Sequence, residues 1–404
     1  MKKSTIDWAP LIPDDWEEKR IKDISRLQSG NGITSDDIDE IGIYPVYGGN
    51  GLRGYTDTYT NDGNYVLIGR QGALCGNINY AKNKFYASEH AVVVYPSYKD
   101  ENITWLGETL RTANLNRLSA SAAQPGLAVS ALNFVMIPYP PKPRREQIGK
   151  YLEEKIPLID TQVELLQKKK NAYTRLKKAV INRVVTRGLD EHVKLKDSGV
   201  EWIGMIPEHW EVKRIKELCS FVSRGATPDY VDDGEYKVMN QAVFSTGNLN
   251  CKVVRYSSYM KPDSQIKKGD LLIASTGGGV LGKLYFFDDE DTDFYADTHV
   301  TIVRNDKGSF YVKILFYLLS YQFDMINACM AKGSTNQTEL QRDSLLSYEF
   351  AIPSLEEQQA IVTFLDGKCA KIDAALANID KQIDALKRLK RSLINEVITG
   401  QRTV

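Results

Sequence analysis

Net charge is the first thing missing. The 404 residues carry 52 Lys and Arg against 52 Asp and Glu, a formal charge of zero. Such balance argues against nucleic acid as a partner, because neutralising phosphates usually takes a basic excess. The sum is taken over the whole chain, however, and binding is local. Long apolar runs are missing too. No stretch of about 18 apolar residues exists, so no membrane-spanning helix is expected. The start, Met1-Lys2-Lys3-Ser4-Thr5-Ile6-Asp7-Trp8, lacks the apolar core of a secretory leader. Cysteine is scarce: Cys75, Cys219, Cys251, Cys329 and Cys369 are odd in number and never in C-x-x-C spacing. That argues against a disulfide framework or a zinc site and for a reducing, cytoplasmic location. Four histidines (His90, His192, His209, His299) are too few and too scattered for a four-ligand cluster, and no metal is expected. His90 and His299 recur between an aromatic turn and a strand, a structural placement.

Motifs of catalysis are absent as well. Gly277-Gly278-Gly279-Val280-Leu281-Gly282-Lys283-Leu284 imitates a phosphate-binding loop, but Leu284 stands where Ser or Thr must meet magnesium. Neither HExxH nor GxSxG occurs. Tyr139-Pro140-Pro141-Lys142 has the prolines of an amino-methyltransferase signature without its flanking residues. The chain reads as a recogniser with no catalytic residues and no cofactor of its own. What remains is ordinary globular composition, 42% hydrophobic and 26% charged, which excludes wholesale disorder. At roughly 150 residues per domain the length suggests two or three domains.

The sequence is written twice. Trp8–Lys22 (WAPLIPDDWEEKRIK) recurs as Trp202–Lys216 (WIGMIPEHWEVKRIK), 194 residues on. Ile148, Leu152, Ile159-Asp160, Leu176-Lys177, Ile181-Asn182, Val184 and Thr186 recur 213 residues on. Their counterparts are Ile361, Leu365, Ile372-Asp373, Leu389-Lys390, Ile394-Asn395, Val397 and Thr399. Between these blocks Phe85-Tyr86-Ala87 and His90 match Phe294-Tyr295-Ala296 and His299, and Ser121, Gln124, Leu127 and Leu132 match Ser334, Gln337, Leu340 and Leu345. Collinear matches in four places imply a tandem duplication. Each unit has a variable globular part and then a helical arm.

The arms carry an apolar stripe in steps of three and four. In the first it passes through Leu152, Ile159, Val163, Leu166, Tyr173, Leu176 and Val180. In the second it passes through Ile372, Leu376, Ile379, Ile383, Leu386, Leu389 and Leu393. The phase slips over 173–184 and 386–397, Lys170 breaks the stripe where Ile383 keeps it, and Pro157 is expected to kink the first arm or mark its start. Gly188 and Gly400 follow the last periodic residues as stops. An arm of about 40 residues would reach ~60 Å, too long a stripe to bury in one small domain. The duplication therefore favours two arms packed on each other, antiparallel. From Lys168 to Arg187 there are eight basic residues and no acidic one, which suits a solvated face, an acidic partner or DNA backbone.

The globular parts, 14–137 and 208–352, have short strand-like runs such as Tyr65-Val66-Leu67-Ile68 and Val300-Thr301-Ile302-Val303, and two helical stretches, 102–118 and 310–330. The fold class is α+β: a duplicated mixed α/β domain, each copy followed by a long helix, the helices pairing as an antiparallel coiled coil. The loops are rich in glycine with Arg, Lys, Asn and Gln, residues that read purine edges, and with Ser and Thr, which hold phosphates. Candidate DNA contacts in the first half are Asn31, Asn50, Arg53, Arg70, Gln71, Asn77 and Gln124. In the second they are Arg224, Thr227, Asn240, Gln241, Ser275, Thr276, Lys283, Asn336 and Gln337. Each alone suits a turn better; the enrichment over both halves carries the reading.

The duplicated Ile-Pro-x-x-Trp lead-in (Ile12, Pro13, Trp16; Ile206, Pro207, Trp210) resembles that of the specificity subunits of type I restriction–modification systems. So do Tyr44-Pro45-Val46-Tyr47-Gly48-Gly49-Asn50-Gly51, Gly269-Asp270-Leu271-Leu272-Ile273, and the Ile-Pro exits (Ile137-Pro138, Ile352-Pro353) leading to Glu146-Gln147-Ile148 and Gln358-Gln359-Ala360-Ile361. The resemblance covers essentially the whole chain. It implies target-recognition domains at 1–144 and 191–356 and helical spacers at 145–190 and 357–404. Each domain would read one half of a bipartite, asymmetric double-stranded DNA target, while the spacer sets the gap and docks two methyltransferase (modification) subunits. Those partners would carry S-adenosylmethionine; restriction/translocase subunits would add ATP and Mg. The same architecture would serve a type IIB-like system with a fused methylase–nuclease partner. A coiled-coil scaffold whose globular ends bind protein is a different class, separable by the salt dependence of DNA binding.

Overall fold

The computed structural model describes every residue except 73, 120–125, 278, 291–292, 322–329 and 333–337, and only the backbone of 331–332. The chain forms two compact units, Met1–Lys168 with Ile379–Val404, and Lys169–Asn378. Each joins a globular part to the first half of the helix that follows it and to the last half of the other long helix.

In the first unit Ser25–Ser29, Ala91–Pro96, Tyr65–Gly69 and Ile78–Ala81 form, in that order, a four-stranded antiparallel sheet. Successive side chains of a strand point to opposite faces. Val66, Ile68, Val92 and Val94 accordingly pack with Trp105, Leu106 and Leu110 of the helix Ile103–Thr112, while Leu67 and Val93 meet Phe85 and Ala87. The latter belong to a second four-stranded sheet, in which Tyr44–Gly48 and Lys84–Ala87 run parallel. A sheet covered on both faces explains why its central strands read as unbroken apolar runs.

The second unit repeats the plan. Its antiparallel sheet runs Phe221–Arg224, Val300–Arg304, Leu271–Ala274, Leu284–Phe286. Leu271, Ile273 and Val303 pack with the helix Lys313–Tyr321. Leu272 and Ile302 pack with Phe244, Phe287 and Phe294. Tyr236–Met239 and Phe294–Ala296 supply the equivalent parallel pair. In the Gly269-Asp270-Leu271-Leu272-Ile273 segment, Asp270 is buried and accepts from Nε and Nη2 of Arg304 at 2.7 and 2.6 Å, so this part of the motif is structural.

The lead-in and exit of each globular part are stitched together. Glu17–Arg20 pairs with Met136–Tyr139, and Glu211–Arg214 with Glu349–Ile352. Trp16 and Trp210 are buried beside these strands, and the Trp210 indole N–H donates to Glu357 at 3.2 Å. Of the expected helix over 102–118, Ile103–Thr112 is α-helical; Asn114 then takes a left-handed φ of 49° and a short 3-10 turn follows. Of 310–330, Lys313–Tyr321 is helical and 322–329 lies outside the described residues.

The arms are the helices Lys142–Arg187 and Leu355–Ile398. Pro157 does not mark the start: the first arm begins after Pro140-Pro141, with Pro143 in its first turn, where a missing N–H is harmless. Gly188 and Gly400, with φ of 74° and 73°, follow the two ends. In the first unit Arg144 donates to the carbonyl of Val404 at 2.8 Å, and Lys390 reaches Asp160 at 2.7 Å. One number rises as the other falls, so the helices are antiparallel there. In the second unit Lys177 reaches Asp373 at 2.7 Å, the same bond between duplicated residues, and Gly188 lies against Glu357. Ile394, Val397 and Ile398 join the core of the first unit, and Ile181, Val184 and Val185 that of the second.

The stripe needs one correction. Leu152, Ile372, Ile379, Ile383 and Leu393 are buried, and Ile159, Val163, Leu166, Tyr173, Val180, Leu376 and Leu386 half-buried, but Leu176 and Leu389 are 49% and 51% exposed. After Tyr173 and Leu386 the facing position falls four residues on, at Lys177 and Lys390. A residue one place earlier is turned about 100° away. The lysine stems lie along the seam and their ammonium groups meet the partner carboxylates. The basic run is also tied locally, Lys168 to Glu164 at 2.6 Å and Arg183 to Glu191 at 2.7 Å. Replacing Leu152 with Ala should therefore cost about 2–5 kcal/mol, and Leu176 with Ala under about 0.5 kcal/mol. Equilibrium denaturation of the full chain reads both, and equal losses would contradict this phase.

Candidate DNA interface

Five backbone hydrogen bonds draw the loops of the first unit together at one end of its sheets. Gly30 N–H donates to Ala91, Asn31 to Ala87, Ser88 to Tyr47, Arg70 to His90 and Leu127 to Arg70, at 2.8–2.9 Å. The second unit has the same five. Gly225 donates to Val300, Ala226 to Ala296, Asp297 to Met239, Ser275 to His299 and Leu340 to Ser275, at 2.8–3.2 Å. A Cβ on Gly30 would fall 2.2 Å from the Ala87 oxygen, and one on Gly225 2.0 Å from the Ala296 oxygen, so both approaches need glycine. His90 and His299 contribute the same backbone carbonyl.

On this common backbone the side chains differ. In the first unit Asn31, Asn50, Arg53, Gln71 and Asn77 are exposed and Arg70 is half-buried. Asn77 donates to Asn50 at 3.3 Å, and Arg70 Nη1 to the Ser29 hydroxyl at 3.3 Å. In the second unit Thr227 is exposed, and Arg224, Gln241, Thr276 and Lys283 are half-buried. Thr276 shares a hydrogen bond with His299 Nδ1, and Arg224 Nη2 reaches Glu339 at 3.2 Å and the Leu340 carbonyl at 3.1 Å.

One candidate is corrected. Ser275 is fully buried, its hydroxyl 2.5 Å from that of Thr301 and 3.1 Å from the Ile273 carbonyl, so it cannot reach a ligand. Asn240 is half-buried; its side-chain oxygen accepts from Ala242 N–H at 2.9 Å and caps the short turn Gln241–Phe244. Gln124, Asn336 and Gln337 lie outside the described residues.

The structure adds Ser29 and Glu339 to these loop clusters, with Ser88 and Asp297 buried among them. Ser88 and Asp297 directly follow the repeated Phe-Tyr-Ala, and Glu339 precedes the repeated Leu340; reading one residue beyond each match would have found them. Asp297 is buried. Burial pushes its carboxyl up, and the His299 N–H at 2.8 Å opposes this by stabilising the charged form. Among the described residues no group of His, Cys, Asp and Glu could hold a metal ion, and no helix is long and apolar enough to cross a membrane.

The chain matches the type I restriction modification DNA specificity domain over residues 13–174 and again over 207–387. It is 42% identical over 147 residues to the type I restriction enzyme EcoprrI specificity subunit of Escherichia coli, a match spanning 35% of this chain and 36% of that protein. It is 25% identical over 415 residues to the type I restriction enzyme MjaVIII specificity subunit of Methanocaldococcus jannaschii, spanning 96% of this chain and 93% of the other. A chain from a structure describing complex assembly and conformational transition of the type I R-M system has the same fold, with a TM-score of 0.72, 16% identity, and coverage of 97% and 100%. The HsdS subunit from Thermoanaerobacter tengcongensis follows at 0.52, with 15% identity and full coverage of both chains. With both halves matched, the chain belongs to the type I restriction modification DNA specificity family and is a specificity subunit with two DNA specificity domains in tandem.

Proposed function

We propose that each domain reads one half of a bipartite, asymmetric DNA target through its loop cluster. The observation that carries this is the pair of clusters built on the same backbone hydrogen bonds with different side chains. A shared backbone places both clusters alike against a duplex, while the differing groups, Gln71 against Thr276 among them, select different bases. The paired arms act as a ruler that fixes the unread gap and as the seat of two methyltransferase subunits. Those subunits bind S-adenosylmethionine and methylate adenine. Restriction subunits with ATP and Mg complete the assembly in the cytoplasm, and no step of chemistry falls on this chain.

Two outcomes test the reading. Gln71→Ala should relax methylation specificity in one half-site only, as read by single-molecule sequencing of host DNA; relaxation in both halves would refute the division of labour. Inserting four helical residues between 160 and 186 adds about 6 Å to the ruler, or one to two base pairs at about 3.4 Å each. The methylated sites should then show a longer gap. An active complex with an unchanged gap would refute the ruler.

A further inference from the structure

The matching hydrogen bonds of the two domains fix which residues occupy the same place. Ser29 lies opposite Val92 on the edge strand, as Arg224 lies opposite Thr301. Arg70 follows the third strand and donates its N–H to His90, as Ser275 does to His299. The pair Ser29 and Arg70 in the first domain is therefore the pair Arg224 and Ser275 in the second, with arginine and serine exchanged.

The exchange is not a neutral shuffle. Both flanking places stand beside the end of the same central strand. In the first domain the guanidinium reaches from the third-strand side to the Ser29 hydroxyl at 3.3 Å. In the second it reaches from the edge strand to Glu339 and the Leu340 carbonyl, which borders Ser275. A long side chain crossing this gap needs a short one on the far side, and serine supplies it in both. Each domain thus keeps a half-exposed guanidinium across the same strand end, by opposite routes.

We infer that Arg70 and Arg224 are equivalent phosphate anchors: they hold each domain on the DNA backbone irrespective of sequence, and leave base reading to neighbours such as Gln71. This rests on the DNA-reading role proposed above. A group kept by two domains that read different half-sites carries no information about either; what every half-site shares is the phosphate backbone, and arginine binds phosphate with a planar fork.

The test uses the full chain, purified with the subunits it carries from its host. Binding is measured at several salt concentrations on a duplex with the host methylation motif and on a scrambled one. Arg70→Ala should lower the magnitude of the log–log salt slope by about 0.9. Arg224→Ala should lower it by less, because Glu339 already shares that charge. Both should weaken binding to the two duplexes by the same factor and leave the methylation motif unchanged. Arg70→Lys should keep the slope, and Ser29→Arg combined with Arg70→Ser, which copies the second domain's route, should restore it. Relaxation at one base pair would make Arg70 a base reader and overturn the inference. An unchanged slope with a lowered Tm would make it a structural strut and overturn it equally. A slope near zero in the unaltered protein would instead remove the DNA-reading role itself.

Discussion

Ile394, Val397 and Ile398 stand near the far end of the sequence, yet they are buried in the same core as Ile12, Trp16, Trp105 and Leu152. The rest of the structure depends on that burial. The first unit is completed only when residues 379–404 return to it, and the second uses 169–187, the closing half of the first unit's own helix, in the same way. Neither core can close from one contiguous stretch of its own repeat. A helix this long cannot satisfy its apolar stripe within one small domain, and antiparallel pairing in each unit is how the stripe leaves water. The chain-closing cost of such distant contacts rises only slowly with separation, so hydrophobic burial over several turns outweighs it.

The duplicated ion pairs Asp160–Lys390 and Lys177–Asp373 sit within this pairing but do not drive it. Their side chains are 30–53% exposed, a setting in which such pairs contribute about 0–1 kcal/mol. Their effect is on register. Lys177 and Lys390 take seam positions that leucine could have filled, and the displaced Leu176 and Leu389 face outward. A purely apolar seam would be stronger, and also freer to slide by a turn.

Helix periodicity is local, so the arms, their stops and their pairing were legible in the sequence, as was the duplication that made the pairing antiparallel. Which of two adjacent residues faces the seam was not. Leu176 looks the better choice on hydrophobicity, and only the position of Asp373 across the seam favours Lys177. The sheets were legible as strands but not as an order, because strand neighbours are distant in sequence. Among the candidate site residues, Ser275 failed because its exposure depends on Thr301, whose place beside it only the sheet reveals. The exchange of Ser29 and Arg70 for Arg224 and Ser275 was hidden for a related reason. Insertions of different length separate the two places in the two halves, so no single sequence offset aligns both.

Zero net charge first weighed against nucleic acid. The structure shows where part of that balance lies. Several arm lysines and arginines are matched by carboxylates of the arms or the linker, and Arg304 is consumed by Asp270 in a core. Among the described residues the loop clusters keep Arg53, Arg70, Arg224 and Lys283. On the proposed reading, discrimination falls to shape and to polar groups such as Gln71, Asn50 and Thr276. Weak charge is an advantage for that task. Non-specific affinity grows with every added phosphate contact, while the difference between right and wrong bases does not. On the proposed reading, two domains without a basic excess gain selectivity by requiring both half-sites at once, which a single strongly basic domain could not do.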